Sequence, residues 1–348
     1  MQFSFYKTII RPIVFKIPPE IAHNISLHYV RHVPKFNLLK KTHKEKSLET
    51  IICGIKLRSP IGLAAGYDKN FFSTKGLYNL GFGFVVGGTV TLNSRKGNKK
   101  TRLIRIEKSN SIVNSLGFPG DGIISISKNI RKINDPNLKN IFISISGNSI
   151  EEICECYNYV KDFSTLVEIN ISSPNTKNLE YFHHPKNFLI LIKKINEIKS
   201  CPFFIKMPPL HTHKGINENI LKLIKLSYSN GIDGLVTSNT HPIQNKKLSV
   251  GKGGLSGKPL FPYTIETIKS ISQITNKNLP IIACGGISSA RDIWRAISAG
   301  AIAVQIYTSM IYEGLSLPNK LSQDLIKMMK AKNITSVKDI EGEPPNIN

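Results

Sequence analysis

The stretch Leu166-Val-Glu-Ile-Asn-Ile171, followed later by Phe203-Phe-Ile-Lys-Met207, decides the fold. Both runs are short and almost continuously apolar, which is typical of parallel strands that are buried on both faces. Residues 187–199 lie between them and carry apolar side chains at the three- and four-residue spacing of an amphipathic helix. The stretch therefore predicts a βαβ unit, in which a helix connects two parallel strands.

The same alternation of apolar runs and helical segments continues along the chain from residue 51. Eight βα units favour a closed barrel over an open, doubly wound sheet. A chain of 348 residues also suits a barrel of ~250 residues that carries extensions. We therefore predict an α/β fold of the (β/α)8 TIM-barrel class. The predicted strands are Ile61-Ala65, Phe82-Val86, Ile141-Ile145, Leu166-Ile171, Phe203-Met207, Gly234-Thr237, Ile281-Cys284 and Ala303-Tyr307, and the clearest predicted helices cover 149–161, 187–199, 217–229, 263–274 and 289–299.

Residues 1–46 precede this alternation and predict a short two-helix extension, with the catalytic barrel at 47–348. The first apolar group runs from Phe3 to Phe15 and is interrupted by Pro12, and the second helix covers residues 20–33 and stops at Pro34. Neither segment is long enough to span a bilayer, and no signal peptide is recognisable. Two interpretations stay open: the helices cap the barrel, or their basic, apolar surface binds an anionic membrane. The basic residues are Lys7, Arg11, Lys16, Arg31, Lys35, Lys40 and Lys41, against a lone Glu20.

The composition is that of a folded protein with 41% apolar and 20% charged residues, yet its formal net charge is +24. Basic residues are spread along the whole chain, which is the usual pattern of solvated helix faces; attraction to an anionic substrate or membrane is the functional alternative. No basic stretch interleaved with aromatic residues is present, so no nucleic-acid partner is predicted. Five cysteines without disulfide-framework spacing favour a reducing, intracellular compartment.

Residues that follow the predicted strands indicate the kind of site, because a barrel carries its chemistry at the carboxyl ends of its strands. These positions hold glycines, amides, hydroxyls and two lysines, with no cluster of histidines or cysteines, so no metal site is predicted. Asparagine offers both a donor and an acceptor, which suits a flat polar heterocycle. The glycines after the last two strands are typical of a barrel phosphate site. The long stretches after the second and sixth strands are predicted to be functional loops.

Five ordered segments of the chain resemble the dihydroorotate dehydrogenase family. They cover nearly the whole barrel, and the third is the most specific. The resemblance is closest to the quinone-linked class, because Ser173 stands where the soluble classes place a cysteine. The segments are Gly62-Leu-Ala-Ala-Gly-Tyr-Asp-Lys69, Asn114-Ser-Leu-Gly-Phe118, Asn170-Ile-Ser-Ser-Pro-Asn-Thr176, Gly253-Gly-Leu-Ser-Gly-Lys-Pro-Leu260 and Gly285-Gly-Ile-Ser288.

The resemblance implies an FMN-dependent oxidoreductase that converts dihydroorotate to orotate in de novo pyrimidine biosynthesis, with a quinone as electron acceptor. It implies Ser173 as the base that removes the C5 proton, while a hydride leaves C6 for the flavin. It also implies a peripheral enzyme on the cytoplasmic side of the cell membrane, with residues 1–46 admitting quinone.

The resemblance also assigns roles to individual residues. Lys69 is implied to lie beside both substrate and flavin, and Lys206 to face the N1/O2 edge of the flavin, where positive charge stabilises the reduced ring. The implied substrate-binding residues are Lys69, Asn114, Ser115, Leu116, Gly117, Phe118, Asn170, Asn175, Asn239 and Thr240. The implied cofactor-binding residues are Ala64, Ala65, Gly66, Lys69, Thr89, Ser144, Asn170, Lys206, Ser238, Gly257, Gly286, Tyr307 and Thr308.

The chain departs from the quinone-linked pattern at Ser144, where an asparagine is usual, in a segment closer to the soluble classes. Three alternatives therefore stay open at this point. The first is the same oxidation with a soluble acceptor such as fumarate. The second is a related flavin reductase that acts on another pyrimidine. The third, from a different class, is a non-catalytic basic barrel that binds a membrane or RNA.

Overall fold

A computed structural model of the protein describes residues 5–36, 45–133, 140–176 and 179–346. The strands are β1 Thr50–Ile52, β2 Ile55–Leu57, β3 Ile61–Leu63, β4 Phe84–Val90, β5 Leu103–Ile106, β6 Ser111–Asn114, β7 Ile141–Ile145, β8 Val167–Asn170, β9 Phe203–Lys206, β10 His211–Thr212, β11 Gly215–Ile216, β12 Gly234–Thr237, β13 His241–Gln244, β14 Lys252–Gly257, β15 Ile281–Cys284 and β16 Ala303–Ile306. The helices are α1 Arg11–Phe15, α2 Pro19–Phe36, α3 Thr74–Asn79, α4 Ile123–Lys132, α5 Ile150–Val160, α6 Pro185–Ile198, α7 Glu218–Ser229, α8 Phe261–Ile274, α9 Ala290–Ser298, α10 Thr308–Glu313 and α11 Leu317–Ala331.

Eight parallel strands close into a barrel in the order β3-β4-β7-β8-β9-β12-β15-β16, which confirms the predicted fold class. The barrel interior is filled by side chains, as in other barrels of this size. Phe84 and Phe204 extend across it and cover Gly62 and Gly234 on the neighbouring strands. A Cβ atom at either glycine would lie 2.2 Å from a ring carbon, so only glycine leaves room for the rings. This packed lower layer closes the barrel beneath the site.

All eight predicted strands are present, but some of their ends were wrong. The second strand was predicted as Phe82-Val86, whereas β4 extends to Val90 because its pairing with β7 continues past a register shift between Gly87 and Val90. The first was predicted to reach Ala65, but β3 ends at Leu63. The chain then turns at Gly66, whose φ of +103° is one that glycine adopts at no steric cost. Both differences place glycines where the backbone reaches the mouth of the barrel.

The two long stretches after the second and sixth barrel strands form one structure. They contain the β5-β6 hairpin and the β13-β14 hairpin, which pair through β6 and β14 into a four-stranded antiparallel sheet. Pairing between loops that are distant in sequence satisfies backbone groups that separate loops would leave to solvent. This mouth sheet, as we call β5, β6, β13 and β14, forms one wall above the carboxyl ends of the barrel strands.

The N-terminal segment is helical, as predicted, but both proline breakpoints were wrong. A π-helical turn, Tyr6–Ile10, leads directly into α1, where Pro12 occupies the first turn and needs no backbone N–H partner. Helix α2 continues past Pro34 and ends at Phe36. Phe3, Lys40 and Lys41 lie outside the described residues. Over the described part of the chain, we find no helix with the length and apolar character needed to cross a membrane.

Candidate functional site

One cavity of about 1390 Å³ lies at the carboxyl ends of the barrel strands. Its walls are the strand ends, the mouth sheet and the two N-terminal helices. Every residue that the sequence assigned to substrate or cofactor lines this cavity, apart from Ser115 and Ser144. Segments far apart in sequence therefore meet in one place, as the barrel prediction requires.

Ser144 and Ser115 lie behind the cavity wall. Ser144 is fully buried on β7, and its Oγ is 3.0 Å from the Oγ1 of Thr89, which in turn accepts a hydrogen bond from the Nδ2 of Asn170 at 3.2 Å. Ser115 is also buried, and its carbonyl accepts a hydrogen bond from the Nδ2 of Asn98 at 2.8 Å. Each serine thus contacts residues that support the cavity, and its side chain does not form the wall.

Asparagine side chains on one wall of the cavity form two hydrogen-bonded groups, which together we call the amide network. The Oδ1 of Asn170 accepts hydrogen bonds from the Ser172 hydroxyl at 2.8 Å and from the Nδ2 of Asn239 at 3.3 Å. The Nδ2 of Asn175 donates to the Oδ1 of Asn114 at 3.2 Å, while the buried Oδ1 of Asn175 has no partner. A buried acceptor without a partner is costly in a folded protein unless something else binds there. The Oδ1 of Asn175 is therefore available to accept a hydrogen bond from a ring N–H of a ligand.

Ser173 lies in the half-buried loop after β8, and its Oγ accepts two hydrogen bonds. The donors are the backbone N–H of Asn175 and the hydroxyl of Thr176, each at 3.3 Å. Two donors directed at one oxygen stabilise negative charge on it, which favours loss of its proton. The loop is held in place by the Nδ2 of Asn98, which donates to the carbonyl of Asn175 at 3.3 Å.

Lys69 is partly buried, and its Nζ donates to the carbonyl of Gly66 at 2.6 Å. Burial lowers the pKa of Lys69 to about 8, although Asp68 and Glu20 oppose the shift. Asp68 accepts hydrogen bonds from Thr74 and from the backbone of Phe72 and Ser73, and these fix the turn at the start of α3. A lysine held in this way places a cation beside the amide network, where it can bind a carboxylate.

A buried ion pair lies deeper in the barrel, and the sequence analysis missed half of it. The Nζ of Lys206 on β9 is 3.7 Å from the Oε1 of Glu168 on β8, and both side chains are almost fully buried. The Nε2 of Gln305 on β16 donates to the Oε2 of Glu168 at 3.0 Å. Glu168 is the one acidic residue in the run Leu166–Ile171, and a charge inside a buried strand was the available signal.

Glycines with positive φ form a backbone cradle opposite the amide network. Gly257 and Gly286 have φ values of +106° and +73°, and a Cβ on them would lie 2.4 Å from the Asn110 carbonyl and 2.3 Å from the Phe261 nitrogen. Side chains are thus excluded where backbone N–H groups must approach an anion closely. The Thr308 hydroxyl lies at the same wall, 2.9 Å from the hydroxyl of Ser256. The Tyr307 hydroxyl points away, donating to the carbonyl of Gly66 at 3.3 Å.

Helix α2 contributes a polar group of side chains to the opposite end of the cavity. Glu20 and Arg102 form a double hydrogen bond of 2.7 and 3.2 Å. His23 packs edge-on against Tyr67, whose hydroxyl is 2.6 Å from that of Ser26. Burial lowers the pKa of His23 to about 3, so its imidazole is neutral at ordinary pH. The cavity therefore extends from the amide network to the N-terminal helices.

Outward from these contacts, both N-terminal helices expose large apolar side chains. Ile13, Ile21 and Ile25 are 61%, 53% and 54% exposed, and Phe5, Ile9, Ile10 and Tyr29 extend the same surface. The same helices also pack against the barrel: Val30 is fully buried in the core, and the Tyr6 hydroxyl donates to the Ile311 carbonyl at 2.8 Å. The helices thus do not use their apolar residues only to cap the barrel.

Fold and site together define a (β/α)8-barrel enzyme with an anion cradle, an amide network, the buried Lys206 and the partly buried Lys69 around one cavity. The family model for dihydroorotate dehydrogenase matches residues 47–329. The chain therefore belongs to the dihydroorotate dehydrogenase family, whose members are flavin-dependent oxidoreductases.

Relatives match the chain along almost its whole length. The protein named dihydroorotate dehydrogenase (quinone) from Christiangramia forsetii is 33% identical over 340 residues, covering 92% of this chain and 99% of that protein. The protein of the same name from Sulfurimonas denitrificans is 32% identical over 348 residues, covering 94% and 96%. The crystal structure of dihydroorotate dehydrogenase from Eimeria tenella in complex with ferulenol superposes with a TM-score of 0.84 at 27% identity, covering 95% of this chain and 98% of that one.

Proposed function

We propose that this protein oxidises dihydroorotate to orotate on FMN and passes the electrons to a quinone. The observation that carries the proposal is the single cavity, which connects Ser173 and the amide network to the polar groups of α2. Substrate and acceptor can thus reach one flavin from different sides. The shared name of the curated relatives supports the quinone as acceptor.

The residues present fit FMN in three respects. The glycine cradle at Gly257 and Gly286, with Thr308, would hold the phosphate through backbone N–H groups. Ala64, Ala65 and Gly66 supply a wall without bulky side chains, along which a flat ring packs. Lys206 supplies positive charge inside the barrel, where a reduced, anionic ring needs it. When bound, the flavin would supply the hydride acceptor for the C6 hydrogen of the substrate.

The chain's own residues would bind the substrate and move its proton. The amides of Asn114, Asn175 and Asn239 offer donors and acceptors to a pyrimidine ring, and Lys69 offers a cation to its carboxylate. Ser173 would remove the C5 proton while its own hydroxyl proton passes to water or to the neighbouring Thr176 hydroxyl. The two hydrogen bonds at its Oγ would stabilise negative charge on that oxygen. The mouth sheet would exclude bulk water from this reaction.

We further propose that the chain consists of two functional parts, which meet after residue 46. Residues 47–348 form the catalytic barrel, and residues 1–46 form a module that binds a membrane surface peripherally and admits quinone. Exposed Ile13, Ile21 and Ile25 support the membrane contact, since an apolar surface of this kind on a basic segment is typical of interfacial helices.

Spectroscopy of the purified protein tests the reaction and the acceptor separately. We expect a yellow protein that releases FMN on denaturation and is bleached by dihydroorotate without oxygen. Reoxidation of the bleached flavin by a short-chain quinone, but not by fumarate, supports the quinone acceptor. A colourless protein would favour the non-catalytic alternative, and efficient reoxidation by fumarate would favour the soluble-acceptor alternative.

The lowered pKa of Lys69 gives a pH dependence to substrate binding. Because burial lowers this pKa to about 8, Lys69 loses its charge as the pH rises through that value. A bound carboxylate favours the charged form, so the dissociation constant of orotate should increase above about pH 8. We expect Lys69→Gln to bind orotate weakly at pH 7 and to lose the dependence on pH. Isothermal titration between pH 6 and 9.5 measures both, and an unchanged pH profile in Lys69→Gln would contradict this role.

A further inference from the structure

The ion pair of Glu168 and Lys206 places two opposite charges at the inner end of the flavin site. Lys206 lines the cavity, while Glu168 lies behind it on the neighbouring strand with only 1% of its side chain exposed. Burying a carboxylate is costly, and a partner must compensate that cost. Glu168 has one hydrogen-bond donor, Gln305, and its Oε1 has no hydrogen bond at all. The other interaction that compensates the cost of burying the Glu168 carboxylate is therefore its attraction to the charge of Lys206.

Glu168 and Cys284 both lie beside Lys206, and of these two it is Glu168 that supplies the negative charge. Burial lowers the pKa of Lys206, but the carboxylate of Glu168 is among the neighbours that raise it overall, so the lysine is a cation at ordinary pH. The thiol of Cys284 faces the same lysine, and burial raises the pKa of this thiol, so it is neutral there. The net charge of the pair is thus close to zero.

We propose that Glu168 is a positioning residue that sets the charge presented by Lys206 to the flavin, and so holds the reduction potential of the bound flavin below the value that an unpaired lysine would give. The inference rests on the proposed function for the placement of Lys206 beside the flavin. Reduction adds negative charge to the ring, and a nearby cation favours the reduced form. A carboxylate 3.7 Å from that cation opposes its field at the ring.

The potential should therefore follow the net charge of the pair. Glu168→Gln leaves a lone cation and should shift the midpoint potential of the bound flavin to a more positive value. Lys206→Gln leaves a lone anion and should shift it to a more negative value. The double variant restores a net charge of zero, so its potential should return close to that of the unmodified protein. In the single variants, the ratio of affinities for reduced and oxidised flavin should change on the order of tenfold.

The experiment is a redox titration of the flavin-loaded proteins with indicator dyes. Glu155→Gln is the matched control, because it removes one exposed carboxylate on α5 and should leave the potential unchanged. If Glu168→Gln fails to fold, Lys206→Gln and the double variant still differ by the same change at Glu168. The double variant should then have the more positive potential of the two. It should also resist urea better than either single variant, because removing both buried charges leaves neither uncompensated.

An unchanged potential in Glu168→Gln with full flavin content would overturn the proposal, as would a double variant that matches Lys206→Gln. Bleaching of the unmodified protein by dihydroorotate depends on neither result. Failure of the proposed function, which would appear as an absence of flavin or of bleaching, is therefore distinguishable from failure at Glu168.

Discussion

Substituting Ser173 by alanine is expected to slow the reduction of the bound flavin by dihydroorotate by roughly 10²–10⁴-fold, the range that general base catalysis contributes. Flavin content and the affinity for orotate should stay nearly unchanged. The physical reason is that the two hydrogen bonds at the Ser173 Oγ come from the backbone N–H of Asn175 and the hydroxyl of Thr176, so their loss leaves the side-chain amide hydrogen bonds in place. Anaerobic stopped-flow absorbance measures the reduction rate, and titration with orotate measures binding.

Ser172→Ala is the matched control for this variant. Its hydroxyl bridges Asn170 and Asn239 at 2.8 and 3.0 Å, so its loss should weaken the amide network and the affinity for substrate. At saturating dihydroorotate the flavin of this control should still be reduced rapidly. Ser173→Cys should retain partial activity with a changed pH profile, because a thiolate forms more readily than an alkoxide. Reduction of Ser173→Ala at the unmodified rate would show that another group removes the proton.

The sequence predicted the barrel because each strand is a short apolar run whose neighbours bury both of its faces. Such runs identify the core of a strand but not its end at the mouth. β4 extends past Val86 because Gly87 and Val90 pair with Ile143 and Ile145 of β7, and no local pattern carries that information. The pairing of β6 with β14 was equally invisible, since it joins two loops that are far apart in sequence.

Most of the candidate site could be predicted because its residues follow the strands in the order of the family's motifs. Glu168 was missed because no motif includes it, and its meaning depends on Lys206 on the next strand. The sequence showed a charge in a buried run, but only the closed barrel brings the carboxylate of Glu168 within 3.7 Å of Lys206 and into a hydrogen bond with Gln305. Ser144 illustrates the converse: its position follows a predicted strand, yet its side chain turns towards Thr89.

Interfacial binding by the N-terminal helices can be tested without altering the cavity. Ile13 and Ile21 are exposed and do not line the cavity, so Ile13→Ser and Ile21→Ser should each weaken binding to anionic vesicles about tenfold. Bleaching by dihydroorotate should be unaffected. Ile51→Ser is the matched control, because Ile51 is equally exposed, at 51%, but lies on β1 outside the N-terminal segment.

Deleting residues 1 to about 40 should abolish vesicle binding and quinone reduction while dihydroorotate still bleaches the flavin. The deletion removes Glu20 and His23, which form the polar end of the cavity with Arg102 and Tyr67, and it removes the exposed apolar surface. The amide network, the cradle and the buried ion pair all lie within the barrel and keep their contacts. Reoxidation by a short-chain quinone, followed at 450 nm, measures the loss directly, and flavin content and bleaching show that the truncated barrel is folded. If the truncated protein reduced quinones as fast as the full chain, the N-terminal helices would have only a structural role. They would then not be part of the acceptor site.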